Sequence, residues 1–181
     1  MARMSSDSIG GTKCEPGKYH LMVNASEECT SKKNTEGFKV EVEVLAGNVA
    51  GQEHKKVSSF LYAPVLWDFA AAVGMVNHVT GEAFTPAMLA EMRDPKNKGQ
   101  KIDVEFRASD AVGCQFIAEI VPEYLEDKKT IKPDGWPRIG FFVCSVVDDR
   151  AKDVPKDQAM IDQLMGVSEP TGGLAGAQAY D

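Results

Sequence analysis

Histidine, cysteine and tryptophan are scarce in this chain, with 3, 4 and 2 copies among 181 residues. His20, His54 and His78 stand far apart, and none forms an H-x-x-H or H-E-x-x-H with a neighbour, so zinc-hydrolase chemistry has no local support. Cys14, Cys29, Cys114 and Cys144 include no C-x-x-C pair, which excludes a zinc ribbon, and they are too sparse for a disulfide framework in a chain of this length. They are expected as free thiols, with Cys114 and Cys144 packed in strands. No apolar run approaches the roughly 18 residues of a spanning helix. The opening MARMSSDSIGG has no apolar stretch of the kind a secretory signal needs. A cytoplasmic protein without a membrane association is therefore expected.

Catalytic signatures are missing as well. Gly10, Gly11, Thr12 and Lys13 lack both the spacing of a phosphate loop and a strand before it, and no G-x-S-x-G occurs. Glu41 and Glu43 alternate with valines, which places them on the polar face of a strand as solvated charge. The sequence reads as a non-enzymatic protein with no cofactor and no metal site.

Nor is there an excess of positive charge: 20 Lys and Arg meet 27 Asp and Glu, for a net charge of −7. A protein coated in basic residues is excluded, although a local basic patch is not. Part of the acidity is concentrated at the end, where residues 148–181 carry seven acids against Arg150, Lys152 and Lys156. Residues 167–181 have the Gly-rich composition of a flexible tail, and residues 1–15 resemble them. With 43% apolar residues, the length suits one domain over residues 16–150. A short amphipathic helix over 151–166 follows, its stripe made of Met160, Ile161, Leu164 and Met165.

What dominates between the ends is alternation of apolar and polar residues, the period of a half-buried strand. Tyr19, Leu21, Val23 and Ala25 form one set, and Phe38, Val40, Val42 and Val44 a second. A less regular β-prone run covers 55–62. Ile102, Val104 and Phe106 predict a fourth strand, and 114–121 and 139–147 supply two more. Helical spacing is found over 65–76, closed by Gly81, and again after Thr85-Pro86, the form of an N-cap and first-turn proline, running to about Arg93. Three strands, a helical insertion and two or three further strands is the order of an OB-fold. The expected fold is thus mainly β: an OB-like, five- to six-stranded Greek-key barrel with a helical insertion between strands three and four and a short C-terminal helix. A sandwich or another small barrel fits the same alternation.

The lysines fall in the expected connections. Lys32 and Lys33 follow strand one, Lys55 and Lys56 open strand three, and Lys96, Lys98 and Lys101 precede strand four. Between the last two strands, Tyr124, Lys128, Lys129, Lys132, Trp136 and Arg138 interleave cations with aromatics, accompanied by Glu123, Glu126, Asp127 and Asp134. Cations that neutralise phosphates and rings that stack on bases are what a single strand of nucleic acid requires. Trp136, flanked by Gly135 and Pro137, is the ring most expected at the surface, whereas Tyr19, Phe38, Phe106 and Phe116 lie on apolar strand faces and read as core.

The pattern PGKYHLMVNASEECTSKKNTEGFKVEVEVLAGNVAGQEHKKVSSFLY, followed by LWDFAAAVG and GQKIDVEFR, resembles the bacteriophage single-stranded DNA-binding proteins of the OB-fold type, a family first catalogued as phage proteins of unknown function. The resemblance covers about residues 16–150 and is carried by Pro16-Gly17-x-Tyr19, Ser31-Lys32, the valine ladder ending in Gly47, Gly51, and Gly99-Gln100-Lys101. It implies a protein that binds single-stranded DNA with little sequence preference and protects replication or recombination intermediates. Lys32, Lys33, Lys55, Lys56, Tyr124, Lys128, Lys129, Lys132 and Trp136 are its candidate contacts. It further implies replication and recombination proteins of phage or host as partners through the C-terminal segment, and leaves a homo-oligomer open. An OB-like interaction or assembly module without nucleic acid is the alternative, motivated by the net charge.

Overall fold

A computed structural model describes residues 13–99 and 103–164. Among the described residues, seven strands and three α-helices succeed one another as β1 (Gly17–Thr30), β2 (Glu36–Gly47), β3 (Lys56–Tyr62), α1 (Val65–Val73), β4 (Val76–Asn77), β5 (Glu82–Ala83), α2 (Pro86–Met92), β6 (Gln115–Val121), β7 (Arg138–Cys144) and α3 (Gln158–Leu164). The fold is mainly β. Five strands make one antiparallel sheet in the order β3-β2-β1-β6-β7, and β4 and β5 pair separately.

The alternation seen in the sequence sets the faces. Tyr19, Leu21, Val23, Phe38, Val40, Val42, Val44, Val57 and Leu61 all point inward and are buried. α1 closes this inner face through Leu66, Phe69 and Ala70, with Phe69 edge-on to Phe116 at 5.0 Å between ring centroids. It stops at Gly74, whose left-handed φ of 67° suits a residue without a Cβ and lets its N–H reach the Ala70 carbonyl. α2 starts as its sequence requires, the Thr85 side chain accepting from Met88 N–H ahead of Pro86.

β3 and β7, at the two ends of the sheet, lie beside each other. The Ile139 N–H donates to Ser59 Oγ at 3.1 Å, and no ladder joins the two strands among the described residues. The barrel expected from the sequence is therefore an open sheet whose edges meet at a seam.

Residues 103–107 correct a second expectation. They do not join the sheet. Instead Glu105 accepts from the His78 N–H and gives its own N–H to Asn77 Oδ1, tying the segment to β4, while Val104 and Phe106 pack on the core. Alternation was satisfied by one buried side; the ladder partner it implied was already taken by β6, which pairs with β1. Lys101 and Ile102 lie outside the described residues, as do Met165, Gly166, the tail over 167–181 and most of the leader. The last leader residues belong to the body: Cys14 is buried, and Glu15 accepts from the Tyr19 hydroxyl at 2.6 Å. All four cysteines are free thiols. Cys144 is buried in β7, which pushes its thiol up to about 11, and Cys114 sits one residue ahead of β6.

The outer face of the sheet is divided. Over β1, β6 and β7 the segment after Cys144 lies on it, burying Val146, Ala151, Val154 and Ile161 against Ile117 and Cys144. Over β2 and β3 no such layer is present among the described residues, and Lys39 and Phe60 are exposed. No helix is long and apolar enough to cross a membrane among the described residues.

Candidate nucleic-acid interface

Strand pairing keeps the lysine groups of the different connections apart. Lys32 and Lys33 occupy the turn from β1 to β2, organised by Ser31, whose hydroxyl accepts from the N–H groups of Lys33 and Thr35. Lys56 pairs with Glu43, seven positions along β2 from its start at Glu36. At about 3.3 Å per residue the two pairs are more than 20 Å apart, at opposite ends of the strands. A single groove edge made of all four is therefore not formed.

The connection over 122–137 folds back on itself as a small ribbon. Tyr124 bridges Ile131, Leu125 N–H donates to the Thr130 carbonyl and Lys132 N–H to that of Glu123. Asp127 caps the tip by accepting from the N–H groups of Lys129 and Thr130, and Lys128 takes a positive φ of 60° there. Glu123 organises the base. It accepts from the Trp136 N–H at 3.1 Å and lies 3.3 Å from both Lys132 and Arg138. These contacts, the Trp136 amide first, hold its carboxyl below the usual range. Lys132 is thus engaged within the ribbon, whereas Lys128 and Lys129 are exposed at its tip.

One group does come together. Trp136 is 64% exposed, with Lys13 Nζ over its ring at 4.6 Å from the centroid. The Lys13 ammonium donates to the Gly135 carbonyl, and Lys55 donates to the Lys13 carbonyl. Lys13, Lys55 and Trp136 therefore share the end of the sheet where β3 begins.

The more developed surface was missed in the sequence. Because Val57, Ser59 and Leu61 point inward, Ser58, Phe60 and Tyr62 point outward. The Phe60 and Tyr62 rings lie parallel, 2° apart in plane and 6.0 Å between centroids. Phe60 is 55% exposed. Directly opposite it on β2 stands the exposed Lys39, which in turn faces Glu27 on β1. Tyr62 pairs with Gly37, where a Cβ would run into its ring. The tyrosine thus covers the bare glycine backbone, and its orientation is set. The Cys29 thiol, 3.6 Å from the Tyr62 hydroxyl, pushes that hydroxyl up from its ordinary value. The signal was available: two aromatics two positions apart, on the strand face that alternation assigns to polar residues.

Two acids share this face. Glu41 stands opposite Ser58 and Glu43 opposite Lys56. The Asn24 amide and the His54 ring, both at 3.0 Å, hold the Glu43 carboxyl below its ordinary value. Its charge is thus balanced locally by these two hydrogen bonds and by Lys56 across the strands, away from Phe60.

No protein-family model matches the chain, and no curated protein matches it.

Proposed function

We propose that this protein binds single-stranded DNA with little base preference through the outer face of β2 and β3. The observation that carries the reading is the parallel, solvent-facing Phe60–Tyr62 pair with Lys39 directly across from Phe60. Two parallel rings held at the surface offer stacking area to bases, and a cation beside them meets the phosphates. Stacking makes no distinction among bases, because every base has a π face.

The finer fold reading supports it. In the main sheet β1 lies between β2 and β6, α1 lies in the connection from β3 to β6, and β3 and β7 meet at a seam. An OB barrel has this arrangement, and the face of its strands two and three is where such barrels take oligonucleotides. The family resemblance points the same way, to a phage protein that coats replication or recombination intermediates in the host cytoplasm and recruits partners through its C-terminal segment.

Fluorescence anisotropy with labelled oligo-dT tests the reading. Wild-type protein should bind, with log K falling against log salt at about −0.7 per phosphate neutralised. Phe60→Ala and Tyr62→Ala should each weaken binding by roughly five- to 150-fold, the usual worth of one base stack. Absence of binding at micromolar protein and low salt refutes the proposal.

The exposed Tyr124, Leu125 and Ile131 of the ribbon favour the alternative, an assembly module. A discrete oligomer that purifies free of nucleic acid and ignores oligo-dT would establish it.

A further inference from the structure

Phe141 is 84% exposed, more than any other large apolar residue among those described, although it stands within β7. The register explains how. Ala118 pairs with Val143 and Ile120 with Ile139, so Glu119 alone faces residues 140–142. Ile139 and Val143 both point inward, and regular alternation would turn residue 141 inward too. The surplus residues bulge the strand and throw the ring out to solvent. Gly140 makes this bend feasible, since a Cβ there would meet Val121 at 2.9 Å. A ring kept in water from within a strand forgoes the burial a phenylalanine normally gains.

Its location relates it to the stacked pair. Each neighbour in the order β3-β2-β1-β6-β7 is antiparallel, so β3 and β7 run in the same direction on either side of the seam. Ser59 and Ile139 touch across it. Phe60 follows the first by one residue and Phe141 follows the second by two. Cations border the β7 side: Lys18 Nζ lies 4.2 Å from the centroid of the neighbouring Phe142 ring, and the Arg150 guanidinium 5.8 Å from it. Two acids are also there, Asp148 paired with Arg150 at 3.0 Å and Glu119 opposite the bulge.

We propose that Phe141 is a third stacking station, so that a bound single strand continues from Phe60 and Tyr62 across the seam onto β7, with Lys18 and Arg150 beside its phosphates. This rests on the single-strand reading above and extends it to a second strand pair. A ring displaced from its own core, across the seam from an aromatic face and next in the chain to a ring bordered by cations, fits a nucleic-acid strand better than an apolar protein surface.

Three variants test it, with Phe60→Ala as reference, using oligo-dT of about 20 nucleotides, longer than the site of a single barrel. Phe141→Ala and Phe141→Leu should both weaken binding roughly five- to 150-fold, while Phe141→Tyr stays near wild type, because stacking needs a π face and not merely apolar bulk. Cross-linking to a bromouracil-labelled strand should mark the peptide containing Phe141. Thermal melting of each variant should match wild type, as the ring contributes little to the core. If Phe60→Ala weakens binding and Phe141→Ala does not, the third station is wrong while the function stands. A change of oligomeric state in Phe141→Ala at unchanged affinity also overturns it, and assigns the ring to a protein contact. No binding by wild type overturns both readings.

Discussion

At Gly37 the absence of a side chain is what lets the Tyr62 ring approach the β2 backbone so closely. An added Cβ would meet both that ring and the Leu61 carbonyl, and neither can retreat without disturbing the β2–β3 ladder. Gly37→Ala is therefore expected to destabilise the protein by about 1–3 kcal/mol, the usual cost of forcing extra volume into a packed site, and to weaken oligo-dT binding by tilting Tyr62 away from Phe60. Urea unfolding and anisotropy read the two effects separately; unchanged stability would mean that the ring swings away freely. Exposed Phe60 differs in degree: its loss should reduce affinity at a smaller cost in stability than a core ring, since 55% of its area stays in water in the folded chain.

Among the elements, the segment ending in α3 depends on one buried ring. His20 is fully enclosed. Its Nδ1 accepts from the Asp157 N–H at 3.1 Å, which leaves the proton on Nε2, and this donates to Gln115 Oε1 at 2.9 Å. Gln115 passes its own amide to the Met160 carbonyl at 2.9 Å. A second proton on the ring would set Nδ1–H against the Asp157 N–H, and burial together with nearby Lys156 holds His20 below its ordinary value of 6.5, against the pull of Gln115 and Asp157. The unfolded chain therefore binds the proton more readily than the folded one. Stability is full above pH 6.5 and falls as the pH drops from there through the lower folded value. Hydrogen exchange should show residues 154–164 losing protection before β1 and β2 do as the medium is acidified. His20→Gln, which keeps a neutral donor and acceptor, should remove that part of the pH dependence; an identical acid response in the variant would place the titrating group elsewhere.

Across the whole molecule, cations and rings are distributed over two ends and one face. Trp136 reports on one end. The other tryptophan, Trp67, is partly buried against Phe106, with centroids 5.7 Å apart, so Trp67→Phe leaves Trp136 as the fluorescent reporter. If the strand reaches the ribbon, oligo-dT should quench this emission saturably, in parallel with anisotropy, and Lys13→Ala should alter the quenching because Lys13 covers the ring. Binding by anisotropy with an unchanged spectrum would confine the interface to β2, β3 and the seam. Lys32→Glu with Lys33→Glu, at the opposite end from Lys55, would show whether the strand extends that far.

Much of the secondary structure was determined by the sequence alone, because it depends on neighbours along the chain. The two-residue alternation in Phe38-x-Val40-x-Val42-x-Val44 specifies a strand with one buried face, and Thr85-Pro86 specifies a helix start from local hydrogen bonding and a fixed φ. The exposure of Trp136 was legible in the same way, from its Gly and Pro neighbours. Pairing is not local. Whether Lys33 lies near Lys56 depends on which ends of β1, β2 and β3 coincide, and hairpin connectivity sends them to opposite ends. Val104 and Phe106 show the same limit, since alternation reports a buried side and not a ladder partner. Phe60 and Tyr62 stood on the polar side of their own alternation and could have been noticed. That they lie parallel, above Gly37 and across from Lys39, was decided by register between strands. Phe141 was beyond any periodic reading, because its outward turn comes from a bulge against Glu119 and exists only once β6 and β7 are paired.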